Sequence, residues 1–292
     1  MNPSVGTVPD TSLDVRLDAE RIPVRAWCAE APRAIVGVVH GLGEHSGRYA
    51  ALAGVLAAAR YTVVAIDLPG HGQTPGPRGH VASWCVMRDQ WLPAMMAAAR
   101  RLPGVSAGTP LLVLGHSMGG VIALDFALEH PGGLAGVIAS APGLRSAPPP
   151  RWKLALGHLA HAVAPTLGIP HGLDESGMSR DPEVLLGRKN DPLVHDRISP
   201  RLYFAFDGAR QRVLREAGRL RVPTLVLMGG ADRVVDPAGA YEFAAATPPG
   251  RAHLVVYPEA YHEIFNDHDR ERVIADMLAW LEKTLPADAT TR

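Results

Sequence analysis

Leu111-Leu112-Val113-Leu114-Gly115-His116-Ser117-Met118-Gly119-Gly120 is the stretch that decides how the rest of the chain reads. Its leading apolar residues form a run of the kind buried on both faces of a parallel sheet. Gly115-x-Ser117-x-Gly119 follows, and then Val121 to His130, which is patterned as a helix. Strand, sharp turn and helix in this order are the context in which G-x-S-x-G carries a nucleophile. The residue at the apex of such a turn has a strained backbone, and glycine two positions to either side relieves the crowding because it lacks Cβ. The turn lifts the Ser117 hydroxyl above the sheet and aims the first N–H groups of the helix at the same space. Ser117 is therefore a candidate nucleophile.

At 292 residues, 47% of them hydrophobic, the chain is long enough for one large α/β sheet with an ample core. The formal net charge is +0, which removes the electrostatic case for nucleic acid or a strongly acidic partner. Lysine stands only at Lys153, Lys189 and Lys283, a bias in composition that points to no function. Cys28 and Cys85 are too few for a disulfide framework or a zinc site and read as buried thiols. Residues 1–10 are polar, with neither a basic n-region nor an apolar h-region, so no signal peptide is expected. No apolar run approaches the roughly 18 residues of a membrane span. A cytoplasmic protein is expected, and no metal-ligand spacing or nucleotide-type glycine loop accompanies these features.

Outward from the central stretch the pattern is regular. Ser12 to Leu17 and Ile22 to Ala29 read as a leading hairpin turning at Asp18-Ala19-Glu20-Arg21. Ala34 to Val39 is a buried strand ending in His40-Gly41-Leu42-Gly43, followed by a helix over Tyr49 to Arg60. Tyr61 to Ile66 is the next strand. It ends at Asp67-Leu68-Pro69-Gly70-His71-Gly72, where Asp67 and His71 are read as organising their own loop. A helix is expected over Trp84 to Leu102, kinked or started by Pro93. Gly136 to Ser140, Thr224 to Met228 and His253 to Tyr257 complete the strands, and Arg270 to Leu285 is the last helix. Strands alternating with helices predict a mostly parallel sheet covered by helices on both faces. Between them, Pro148-Pro149-Pro150 opens a stretch without strand signal in which Trp152 to Val163 and Arg201 to Ala217 read as helices. The domain reading is a core over 1–141 and 222–292, with a helical cap inserted over 142–221.

A serine hydroxyl needs a base to take its proton and an acid to hold that base in the right tautomer. In such sheets both follow later strands, beyond the carboxyl ends. Gly229-Gly230-Ala231-Asp232 and Glu259-Ala260-Tyr261-His262 qualify. The chain order Ser117, Asp232, His262 is that of α/β-hydrolases. Asp236, before Pro237, better suits a helix cap, and His268 reads as the opening of the last helix. The oxyanion needs two preorganised donors, read as the backbone N–H groups of Met118 and Leu42. Glu44, Arg48 and His116 are candidate substrate contacts. Glu44 and Arg48 pairing with each other, and His116 as a hydrogen-bonded core histidine, are the alternatives.

These residues resemble the monoacylglycerol lipase-like (lysophospholipase-like) branch of the α/β-hydrolase superfamily. The match is carried by His40-Gly41-Leu42-Gly43-Glu44-His45-Ser46-Gly47-Arg48-Tyr49, Gly70-His71-Gly72, Gly115-His116-Ser117-Met118-Gly119-Gly120, Ala231-Asp232-Arg233 and Tyr261-His262-Glu263. Ser179 to Val184 and Asn190 to His195 look like cap segments of bacterial members. The resemblance implies a Ser117–Asp232–His262 triad, an oxyanion hole at Leu42 and Met118, a mobile lipid-facing cap and no cofactor. Phe265 departs from the mammalian members, which carry a second histidine there. The expected activity is hydrolysis of a monoacylglycerol, with transient contact of the cap with membranes or micelles. A carboxylesterase, a lysophospholipase or an acyltransferase on the same site is the alternative within enzymes. A ligand-binding protein on this fold is the alternative outside them.

Overall fold

The computed structural model of the chain describes residues 11–17, 20–147 and 149–285. Residues 1–10, read above as lacking a signal peptide, lie outside them, as do Asp18 and Ala19 of the hairpin turn and Pro148 of the proline run. Strands β1 (Thr11–Leu17) and β2 (Glu20–Trp27) form the expected antiparallel hairpin. They continue into β3 (Ala34–Val39), β4 (Tyr61–Ile66), β5 (Leu111–His116) and β6 (Gly136–Ser140). The short β7 (Ile169–Pro170) and β8 (Arg197–Ile198) pair only with each other, and β9 (Thr224–Gly229) and β10 (Ala252–Tyr257) complete the main sheet. Its order is β1-β2-β4-β3-β5-β6-β9-β10, parallel from β4 onwards.

The helices are α1 (Ala50–Ala58), α2 (Leu92–Ala99), α3 (Met118–Glu129), α4 (Arg151–Val163), α5 (Pro182–Asn190), α6 (Pro200–Glu216), α7 (Ala238–Ala246) and α8 (Arg270–Thr284). Strand residues alternate between two cores. Ile35, Val39, Val113 and Val226 face α2, α3 and α6, while Val36, Val38, Leu112 and Leu225 face α1 and α8. Both faces are covered, which is why the strands read as unbroken apolar runs instead of alternating ones. This is the α/β-hydrolase fold that the sequence predicts.

Several local expectations are corrected. The helix expected from Trp84 does start there, but it is π-helical over Val86–Trp91 and α-helical only from Leu92, so Pro93 falls where the hydrogen-bond register of a continuous helix changes. The helix expected from Tyr49 is preceded by a 3-10 turn over Ser46–Tyr49 and is α-helical from Ala50, while the last helix starts at Arg270 as expected, which leaves His268 before it. Cys28 is only half-buried and Cys85 is exposed, because Cys85 lies on the outer side of its turn, 3.7 Å from the Arg88 guanidinium. The segment between β6 and β9 is mainly helical, as expected, but holds the β7–β8 pair. Two-residue strands carry no periodicity to read. Buried Asp125 on α3 anchors this segment by accepting from Arg212 Nη1 on α6 at 2.8 Å and from Trp84 Nε1 at 2.9 Å.

Candidate active site

Strand order reverses around β3 and β5: β4 lies beyond β3 on one side and β6 beyond β5 on the other. The loops leaving these two strands therefore diverge and open a crevice at their carboxyl ends. Val39 pairs in register with Gly115, so the loop over 40–43 starts level with the turn at Ser117. Ser117 has φ 55° and ψ −116°, the strained backbone of a nucleophile turn. A Cβ on Gly115 would fall on the Gly119 carbonyl, and one on Gly119 would fall on the Val39 carbonyl. The two glycines let the turn close on itself and against β3.

After β9, Asp232 turns its buried carboxylate toward the loop that follows β10. Its Oδ1 accepts the N–H groups of Val234 and Val235 at 2.8 and 3.0 Å. Its Oδ2 lies 2.7 Å from His262 Nδ1. The carboxylate thus holds the Nδ1–H tautomer, which leaves a lone pair on Nε2. His262 is buried, and its ring centroid stands 4.8 Å from that of His116. Asp236 is exposed and accepts from the N–H of Ala238 at 2.9 Å just ahead of α7, whose N-cap is Pro237 instead. The His268 N–H donates to Asp267 Oδ1 at 2.8 Å.

The loop over 40–43 is held from beneath. His40 Nε2 accepts the Leu68 N–H at 2.9 Å, so its Nδ1 carries the proton and donates to the Gly41 carbonyl at 2.7 Å. Burial lowers the pKa of His40 and favours this neutral form. Asp67 organises the neighbouring loop: Oδ1 accepts from Ser46 N and Oγ at 2.8 and 2.6 Å, and Oδ2 accepts from Gln73 N at 2.9 Å. The His71 Nδ1–H donates to the Pro69 carbonyl at 2.8 Å.

Glu44 and Arg48 pair with each other. Glu44 Oε1 accepts from Gly41 N at 2.6 Å and Tyr49 OH at 2.9 Å, while Oε2 accepts from Arg48 Nη1 at 2.9 Å. Arg48 also makes a bidentate pair with Glu263 at 2.8 and 2.7 Å. Burial is the largest single influence and works to raise both carboxyls, but Arg48 together with the neighbouring positive groups and hydrogen bonds outweighs it and holds both below their ordinary value. His116 Nδ1 is 3.3 Å from Ser140 Oγ, and burial, assisted by the charge of His262, brings its pKa down to about 4. Tyr49 and Glu263 are members of this network that the reading of sequence did not single out. Glu263 was visible only as the residue following His262.

Ser117 stands at the junction of two cavities. One, of about 670 Å³, is mainly apolar and is lined by Leu42, Met118, Ile198, Tyr203, Phe206 and Val234, among others. The other, of about 260 Å³, gathers the polar side chains of Glu44, His116, Arg188, His262 and Glu263 beside Gly41 and the apolar Leu42, Leu173 and Met178. Leu42 and Ser117 belong to both. Such a site can hold an ester with its apolar acyl part on one side of the serine and an oxygen-rich alcohol on the other.

The buried histidines and carboxylates set the response to acid. Burial lowers His71 and His116 from an ordinary value near 6.5. Both stay neutral in the fold where an unfolded chain would bind protons. Their contribution to stability is complete above about pH 6.5 and is lost as pH falls toward the folded values. Glu44 and Glu263 extend the loss below about pH 4.5, because their folded values are also depressed. The thermal midpoint should therefore fall steadily from about pH 7 to 4. A flat profile measured by calorimetry over that range would contradict this account.

Residues 30–269 match the family profile Hydrolase_4, described as serine aminopeptidase, S33. The chain is 34% identical to a monoacylglycerol lipase of Mycolicibacterium smegmatis over 89% of its own length and 92% of that protein's. It is 33% identical to human monoglyceride lipase over 87% of its own length and 83% of that protein's. Its structure superimposes on the crystal structure of the Paleococcus ferrophilus monoacylglycerol lipase with a TM-score of 0.82 and 32% identity, covering 91% of this chain and 100% of the other. A strained serine turn on this sheet, within a family matched over most of the chain, makes this protein a serine hydrolase of the α/β-hydrolase fold, belonging to the Hydrolase_4 family as a monoacylglycerol lipase-like member.

Proposed function

We propose that this enzyme hydrolyses monoacylglycerols to fatty acid and glycerol through an acyl-enzyme on Ser117. The observation that carries the reading is the placement of Ser117 between an apolar cavity and a polar pocket, beside the His262–Asp232 pair. In the first half-reaction Ser117 Oγ attacks the ester carbonyl while His262 Nε2 takes the hydroxyl proton. The N–H groups of Leu42 and Met118 receive the oxyanion. The glycerol oxygen leaves with the proton held by His262. Water then attacks the acyl-enzyme, its proton passes to His262 and on to Ser117 Oγ, and the fatty acid is released. Asp232 keeps the imidazole oriented and stabilises its charged form throughout. The similarity to monoacylglycerol lipases of a bacterium, an archaeon and human supports this substrate class.

The reading is tested by hydrolysis rates over monoacylglycerols, diacylglycerols, triacylglycerols and lysophospholipids of matched chain. Monoacylglycerols should be hydrolysed fastest. Higher kcat/KM on lysophospholipids or triacylglycerols would reject the assignment. Each added methylene contributes up to about 0.8 kcal/mol, so affinity should rise with chain length until the apolar cavity is filled.

Residues 142–221 are proposed as a cap over the site that meets membranes or micelles transiently. Helix α4 buries none of its residues. Trp152, Leu156, Leu159 and Val163 recur along one side of it and are 62, 58, 59 and 73% exposed. Such an exposed apolar face on one side of a helix is suited to lying on a lipid surface. Leu159→Asp should lower the rate on emulsified long-chain substrate about tenfold, because charge on a buried interfacial face is costly. Short soluble esters should be hydrolysed nearly as before. Equal loss on both would mark a folding defect, and no loss on either would remove α4 from the contact surface.

A further inference from the structure

Arg188, on α5 of the inserted segment, lines the pocket that Ser117 and His262 also line. It is only 5% exposed, and its Nη1 donates to Glu263 Oε1 at 3.3 Å. Its Nε and Nη2 are buried without a hydrogen-bond partner. A buried guanidinium with unmatched N–H groups is costly unless something oxygen-bearing meets them. Arg188 and Ser117 line the same pocket, on the alcohol side of the serine.

We infer that Arg188 is the head-group specificity residue, its unmatched Nε and Nη2 donating to the free hydroxyl oxygens of a neutral polyol ester. The inference rests on the reading of the enzyme as a monoacylglycerol hydrolase and adds the residue that reads the glycerol. Neutrality follows from the charges around the pocket. Arg188 and Arg48 are balanced by Glu44 and Glu263, and both carboxylates line the same pocket or touch its guanidinium. A phosphate brought into contact with Arg188 would face these two carboxylates at close range, and like charges in a buried site repel strongly. A glycerol hydroxyl carries no such penalty and offers lone pairs to a donor that has none. Because Arg188 comes from the inserted segment and Glu263 from the loop bearing His262, the polar pocket is complete only with α5 in place.

The test compares three substrates with the same acyl chain: a 1-monoacylglycerol, its ethyl ester and the corresponding lysophosphatidic acid. It uses the full-length enzyme and the variants Arg188→Met and Arg188→Lys. A charge-assisted hydrogen bond to a hydroxyl is worth about ten- to a hundredfold. Arg188→Met should therefore lower kcat/KM on the monoacylglycerol about ten- to a hundredfold more than on the ethyl ester. Arg188→Lys, which keeps the charge but not the planar fork, should fall between. Rates of fluorophosphonate labelling at Ser117 should stay within about threefold, since that probe has no hydroxyl for Arg188 to bind. Equal loss on monoacylglycerol and ethyl ester, or equal loss of labelling, would reduce Arg188 to a structural partner of Glu263 and overturn the inference. So would a variant that keeps the wild-type preference. Faster hydrolysis of the lysophosphatidic acid by wild type would overturn the neutral head group. A wild type that hydrolyses the ethyl ester as well as the monoacylglycerol would instead remove the glycerol reading beneath it.

Discussion

Ser117→Ala or His262→Ala is expected to lower kcat by about a millionfold on any ester substrate, because the proposed nucleophile and base would act as one unit. Asp232→Asn is expected to cost about ten-thousandfold. The asparagine can still sit in the same turn, but its amide can no longer hold the Nδ1–H tautomer of His262 through the 2.7 Å contact. It also stops stabilising the charged imidazole formed on attack. Asp236→Asn is the control. That side chain is exposed and bonded to Ala238 N, so its loss should change kcat by less than about twofold. Purified variants assayed on a soluble ester, with thermal midpoints checked in parallel, settle the matter. A more damaging Asp236→Asn than Asp232→Asn would reverse the acid assignment.

Gly41→Ala should lower kcat about a hundred- to a thousandfold with little change in KM, the cost of losing one oxyanion donor. A Cβ at this position would lie 3.0 Å from Glu44 Oε1 and 3.2 Å from Ser117 Cβ. Neither neighbour can withdraw easily. Ser117 is held in its strained turn, and Glu44 is tied to Gly41 N, Tyr49 and Arg48. The loop must shift instead, carrying the Leu42 N–H away from the oxyanion position. A phosphonate adduct of wild-type Ser117 should place its oxygen within hydrogen-bond reach of both Leu42 N and Met118 N. An adduct oxygen pointing to solvent, or a Gly41→Ala enzyme with full kcat, would reject the oxyanion assignment.

The legible parts of this protein were those written in local order. Leu111 to Gly120 spells strand, turn and helix within ten residues, and the φ of 55° at Ser117 is what that spelling requires. The strands over 34–39, 61–66 and 224–229 were readable because both faces of the sheet are covered, leaving runs of apolar residues. Asp232 and His262 were singled out because topology places chemistry beyond strand ends, and the structure brings the two side chains into contact. The π-helical turn before Leu92 and the β7–β8 pair were not readable, since neither leaves a periodic trace in so few residues.

By itself the sequence determined the doubly covered parallel sheet and the strained serine turn, because hydrophobic period and glycine placement act between near neighbours. Tertiary structure alone decided which polar residues are occupied and which are open. Glu44 and Arg48 are closed into a network with Tyr49 and Glu263, whereas Arg188 arrives in the pocket from α5 with donors unmatched. Arg188 and Glu263 are far apart in sequence, and only the packing of the inserted segment on the loop after β10 brings them together. Hydrogen-bond satisfaction is a property of surroundings assembled from distant parts of the chain, so no local pattern can announce it.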